Sequence, residues 1–261
     1  MLGKGPVMKH TTTLAAVALA LALLAPVAWA DWDETMGHKM HFPQYPDPNG
    51  WDVNISGYTV ADDWQCSATG AVRDIHFWGS WAGDFVGNIM NLHVSIHGNV
   101  AEGPHGWSEP GDLLWARDFG PAEFSIALVG TGDQGWYNPG DAAGIRPDHV
   151  NYYQVNIVDI PDPFDQKKDT IYWLDLMVTV DAYDFGWKTS LDHWNDDAVY
   201  LGLLVNTGLN MNSVAEGWIE LLDPITGESL DMAFVITPEP ATLAFLGLGV
   251  AAMLARRHRR K

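Results

Sequence analysis

The chain is short of cysteine and of positive charge, and it lacks the common catalytic signatures. Each shortage excludes something. Of 261 residues only Cys66 is a cysteine, and a single thiol has no intrachain partner for a disulfide framework. Cys66 reads as a small buried residue, with a reactive thiol or an intermolecular bridge as alternatives. Basic residues number 14 against 33 acidic ones, a formal charge of −19. Such a polyanion is repelled by phosphates, which excludes general nucleic-acid binding. No His-Glu-x-x-His or cysteine cluster offers a transition-metal site. His93 and His97, four residues apart on one strand, stand roughly 13 Å apart, too far to share one zinc. Ser80 lies outside any Gly-x-Ser-x-Gly elbow, and Gly130-Thr131-Gly132 has no lysine after it to hold a phosphate. No catalytic residue can be nominated.

The charge that is present is unevenly placed. All 33 acids lie in residues 31–240 with only seven basic residues, a local charge of −26. Residues 1–30 carry Lys4 and Lys9, an apolar run from Leu14 to Leu24, and Ala28-Trp29-Ala30. That order reads as a secretory signal peptide ending in a small-x-small site for signal peptidase, so the mature chain is expected to begin near Asp31.

At the other end, Thr237-Pro238-Glu239-Pro240 precedes fifteen uncharged residues, Ala241–Ala255, and a basic tail from Arg256 to Lys261. As a helix the apolar stretch spans about 22 Å, short for a hydrocarbon core of about 30 Å unless flanking residues contribute. The basic tail stays cytoplasmic and puts residues 31–240 across the membrane. This tripartite end resembles the PEP-CTERM sorting signal of Gram-negative bacteria. The resemblance implies that an exosortase cuts near Pro238-Glu239-Pro240 and that residues 241–255 hold the precursor only transiently in the inner membrane. A simple tail anchor is the alternative. The resemblance also implies a surface or matrix protein with a structural or adhesive role among exopolysaccharides.

Between the two ends, short segments of alternating polarity are separated by Pro- and Gly-rich breaks. Leu92, Val94 and Ile96 share one face, as do Tyr172, Leu174, Leu176 and Val178, which is the period of a half-buried strand. Further strands are expected at 54–60, 71–79, 113–118, 122–129, 152–159, 198–205, 214–222 and 231–236. We expect an all-β antiparallel sandwich, jelly-roll-like, over 51–236. An irregular leader over 31–50 precedes it, with a signal helix (1–30) and a transmembrane-type helix (within 237–261) outside it. Ala61-Asp62-Asp63-Trp64-Gln65-Cys66 and Ile75-His76-Phe77-Trp78-Gly79-Ser80-Trp81 resemble a β-rich domain that recurs in PEP-CTERM proteins.

Two kinds of binding residue stand out. Carboxylates and loop carbonyls suit calcium, and Asp159, Asp162 and Asp165 form the leading candidate loop. Asp192 with Asp196 and Asp197, and Asp133 with Asp141, are others; solvated turns are the plainer reading of all three. Trp107, Trp136 with Tyr137, and Trp194 sit in Gly-, Pro- and Asp-rich loops, where flat rings beside polar groups suit sugars. The plainer reading is that they plug the ends of the sandwich. A carbohydrate-binding module is therefore the alternative to a structural role, and a glycan-processing enzyme the third. The strong negative charge favours neutral or cation-bridged sugars.

Overall fold

The computed structural model describes residues 32–102, 106–141, 143–205 and 214–237. The expected terminal helices, with Ala28, Ala30, Asp31, Pro238, Glu239 and Pro240, lie outside the described residues. Among the described residues no helix is long and apolar enough to cross a membrane.

Two main sheets carry the domain, their strands numbered in chain order. One runs β14 (Asp231–Met232), β11 (Phe185–Ser190), β1 (Trp51–Asn54), β7 (Phe124–Tyr137), β8 (Ile145–Ile157), β4 (Asp74–Trp81), β15 (Phe234–Thr237). The other runs β13 (Val214–Glu220), β12 (Val199–Val205), β2 (Val60–Gln65), β10 (Ile171–Val180), β5 (Ile89–Val100), β6 (Glu109–Phe119). A small ladder joins β3 (Gly70–Val72) to β9 (Phe164–Gln166).

The architecture is all-β and sandwich-like, as the alternation implies, but it is not uniformly antiparallel. In the larger sheet β11 also pairs with β4, so β11, β1, β7, β8 and β4 close into a ring. A ring with an odd number of strands cannot alternate direction throughout, so one pair must be parallel. That pair is β1 with β7, in the register Asp52↔Trp136.

The core between the sheets follows the expected faces. Leu92, Val94 and Ile96 on β5 and Leu174, Leu176 and Val178 on β10 are buried there. Opposite them, Trp187 packs edge-on against Phe77 and Phe234, at 6.2 and 5.8 Å between ring centres. Its indole N–H donates to the Ala233 carbonyl at 2.8 Å, so the ring is buried without an orphaned donor. The leader contains no strand, yet bridges Met40↔Cys66, Gln44↔Phe234 and Pro46↔Ser190 fasten it down, and Trp32 is buried. Cys66 is buried beneath it, its thiol donating to Gln166 Oε1 at 2.9 Å. Burial pushes that thiol up to about 12, which makes it an inert core residue.

Strand β7 differs most from expectation: it continues to Tyr137 rather than ending near 129. Gly132 and Gly135 suggested a loop, but they mark close backbone approach within a strand. A Cβ on Gly132 would lie 1.6 Å from the Pro48 carbonyl oxygen, and one on Gly135 2.4 Å from the Trp51 ring. Trp136 is thereby carried into the ring of strands, where it meets His149 edge-on.

Each of the five ring strands also contributes a buried polar side chain: Asp52, Lys188, Gln134, His149 and Ser80. Two of their contacts cross the ring between strands that are not neighbours. His149 Nε2 lies 2.8 Å from Asp52 Oδ2, and Ser80 Oγ donates to Gln134 Oε1 at 3.2 Å. Lys188 Nζ donates to Asp52 Oδ2 at 2.7 Å from the neighbouring strand.

Candidate functional site: carboxylates beneath the 191–198 loop

The connection from β11 to β12, residues 191–198, closes over an acidic cluster assembled from distant parts of the chain. Adjacent Asp62 and Asp63 on β2 point to opposite faces, and Asp231 comes from β14. Glu220 ends β13, and the loop adds Asp196 and Asp197. Asp62, Asp63 and Asp231 are at most 1% exposed.

Hydrogen bonds tie these acids to the surrounding chain. Asp62 Oδ2 accepts from Gln44 Nε2 at 2.7 Å and from the Met232 amide at 2.6 Å, while Oδ1 accepts from the Asp63 amide at 2.7 Å. Asp63 Oδ2 accepts from Asn195 Nδ2, and Asp196 Oδ2 accepts from Ser108 Oγ. Asp231 Oδ2 accepts from the Trp194 amide at 2.7 Å, with His193 Nδ1 3.5 Å from Oδ1. Asn195 takes a left-handed conformation, φ +64°, which asparagine tolerates better than most residues.

Like charges this close repel by several kcal/mol in a partly screened interior, and the carboxyls respond by holding their protons. Burial, reinforced by Asp231 and Asp63, raises Asp62 well above the carboxylate range. Burial lifts Asp63 to about 8, with Asp231 and Asp196 adding and Asn195 opposing. Burial lifts Asp231 to about 6 against the Trp194 hydrogen bond. A hydrogen bond with Asp197, then burial, takes Glu220 to about 7. Near neutral pH Asp63 therefore keeps its proton, Glu220 is about half ionised and Asp231 is mostly ionised.

On the outer face of the smaller sheet, Trp107 and Trp218 pack on Ala61, Trp173 and Val199. His97 meets the edge of Trp218 and lies 3.0 Å from Asp175 Oδ2. Burial works against its charge, but the Asp175 hydrogen bond wins and holds its pKa above the usual value.

The residues singled out from sequence fall in different places. Trp136 and Tyr137 are 5% and 6% exposed and present no ring face to a sugar, because β7 draws them inside. Trp107 is half-buried in the outer-face cluster. Trp194 is half-buried and stacks on Phe42 at 5.9 Å and 20°, and Phe42 is 55% exposed. Asp159, Asp162 and Asp165 do not converge. The Asp159 amide donates to Asp74 Oδ1, Asp162 faces Arg117 at 3.6 Å, and Asp165 lies exposed on β9. Among the described residues, no three His, Cys, Asp or Glu side chains are grouped to hold a metal ion. Asp62, Asp63, Asp231 and Glu220 were not expected to act together. The one local sign is a carboxylate embedded in apolar strand sequence, as in Val60-Ala61-Asp62-Asp63-Trp64 and Leu230-Asp231-Met232.

Residues 40–237 match the family described as Domain of unknown function (DUF7901), and residues 237–261 match the PEP-CTERM protein-sorting motif. No curated protein and no solved structure matches the chain.

Proposed function

The chain belongs to the DUF7901 family and ends in a PEP-CTERM protein-sorting motif, and from that premise we propose that its mature domain is an adhesive module that holds a matrix glycan. The motif makes the protein an exported precursor, anchored in the membrane and destined for exosortase-mediated attachment at the surface. Mass spectrometry of the protein from cell fractions tests that processing. We expect a C-terminus near Pro238; one that still carries Arg256–Lys261 contradicts it.

The observation that carries the glycan reading is the Phe42–Trp194 pair. It is a stacked aromatic edge whose Trp194 backbone is pinned by Asp231, and flat rings beside polar groups bind sugar C–H faces. The −26 charge between the two ends disfavours anionic sugars, so the ligand is a neutral glycan or one bridged by cations. In a glycan-binding screen of the mature protein, Trp194→Ala should weaken binding at least tenfold, about 1.4 kcal/mol, with the melting curve little changed. Trp136→Ala should instead cost about 3–5 kcal/mol of stability. Full binding by Trp194→Ala rejects the site.

A glycan-processing activity is the second reading, favoured by Asp63 and Asp175. They lie diagonally on one face of neighbouring strands β2 and β10, an arrangement that puts two carboxylates side by side as glycosidases require. Each has one carboxylate oxygen without a hydrogen bond. Release of reducing ends from a polysaccharide by the mature protein, lost in Asp175→Asn, would favour this reading over adhesion.

A further inference from the structure

Neither the aromatic edge nor the acidic cluster uses the polar centre of the strand ring. Asp52 and Lys188 are direct cross-strand partners on β1 and β11. Their side chains are 0% exposed, with Nζ 2.7 Å from Oδ2. A lysine enclosed this completely carries a heavy desolvation cost as a cation. The other oxygen, Asp52 Oδ1, has no hydrogen-bond partner, which costs more for a carboxylate than for a neutral carbonyl. His149 Nε2 lies 2.8 Å from the same Oδ2, and its Nδ1 lies 2.9 Å from Asp148 Oδ2. The arrangement is an amine, a carboxyl and an oriented acid–base group, held together where water is excluded.

We propose that Lys188 and Asp52 are a self-modification site, forming an intramolecular amide between Nζ and the Asp52 side-chain carbon. Burial alone would raise the Asp52 carboxyl, but Lys188 and then His149 bring it below its usual value, so the reaction begins from the ion pair. A proton passes from Nζ to Oδ2 along their hydrogen bond and frees the nitrogen lone pair. The lone pair attacks the carboxyl carbon, and the C–Oδ2 bond breaks. His149 donates from Nε2 to the departing oxygen and regains the second proton released by nitrogen, while Asp148 holds the imidazole in place. Ammonium and carboxylate become an amide and one water, and no co-reactant is needed. Fixed proximity and exclusion of water are the two conditions that favour such a condensation.

The product would link β1 to β11 across 136 residues of sequence. Closing so long a loop restrains the unfolded chain in the way a disulfide does. An exported chain with one cysteine has no intrachain disulfide for that purpose.

The test is the denatured mass of the full-length protein recovered from cells, with both termini assigned. We expect it to be lighter than the sequence mass by one water, with a branched peptide joining the Asp52 and Lys188 segments after digestion. Lys188→Arg should restore the full mass. His149→Gln, which keeps both reacting groups, should accumulate the cross-link more slowly. Full sequence mass in the unaltered protein, or a branch between other residues, overturns the proposal whatever the variants do.

Discussion

The melting temperature of the mature protein should fall as pH is raised from about 5.5 to 8.5, and Asp63→Asn should remove much of that fall. The sign follows from carboxyls whose folded pKa lies above the unfolded one. Asp63 at about 8, Glu220 at about 7 and Asp231 at about 6 contribute stability that is complete below the ordinary carboxylate range. That stability is lost as pH rises through 6 to 8. His97 and His149, also raised, act in the same direction above the ordinary histidine value. Asp118, Glu123 and Asp181 have lowered values and work oppositely: their stability is present at neutral pH and is lost in acid. The optimum should therefore lie on the acid side, near the ordinary carboxylate range of about pH 4.

Each pKa unit corresponds to about 1.4 kcal/mol, but the clustered carboxyls titrate together and their contributions do not add. The combined loss by pH 8.5 is on the order of several kcal/mol, roughly 10 °C for a domain of this size. Thermal melts across the pH series, with a chelator present to keep cations off the carboxylates, measure it directly. A melting temperature that is flat or rising from pH 5.5 to 8.5 would mean that the cluster ionises without penalty.

The loop above the cluster links this behaviour to the proposed glycan site. Asn195 is bonded to Asp63, and the Trp194 amide to Asp231. Ionisation strengthens each of these bonds but sets the carboxylates against one another, and repulsion among Asp63, Asp231, Asp196 and Asp197 acts directly on the 191–198 segment. The aromatic edge thus rests on the most pH-sensitive part of the domain.

How much of this is legible in the sequence depends on whether the signal is local. Alternation on β5 and β10 is local, and those faces lie where the pattern places them. The sorting motif is a contiguous run and reads equally well. Burial of a carboxylate is not local. Asp63 meets Asn195 132 residues away, and Asp62 meets the Met232 amide 170 residues away, so nothing near either residue announces its partner. Trp136 misled for a related reason. The glycines around it look like a loop, but they exist because residues 48–51, far off in sequence, pass against that strand. The five polar side chains of the strand ring are invisible for the same cause, since only closure of the ring brings them together.

Lys188→Met should be the most damaging single substitution near that ring. Removing one partner of a buried ion pair strands the other charge, typically at about 3–5 kcal/mol, or roughly 10 °C here. His149 offsets part of the cost by remaining bonded to Asp52 Oδ2, but Oδ1 stays unpaired. Adding Asp52→Asn removes the stranded charge, keeps an acceptor for His149 and leaves the volume almost unchanged. The double variant should therefore recover most of the loss if the wild-type contact is a salt bridge alone, because a buried ion pair contributes little net stability over a neutral replacement. An amide between Lys188 and Asp52 gives a different result. Neither variant can form it, so the double variant would stay well below wild type by the entropy of a loop of 136 residues, on the order of 4–5 kcal/mol by analogy with a disulfide. Chemical denaturation of the three proteins at one pH compares the two cases: near-complete rescue is the signature of a salt bridge, and a persistent deficit is the signature of the cross-link.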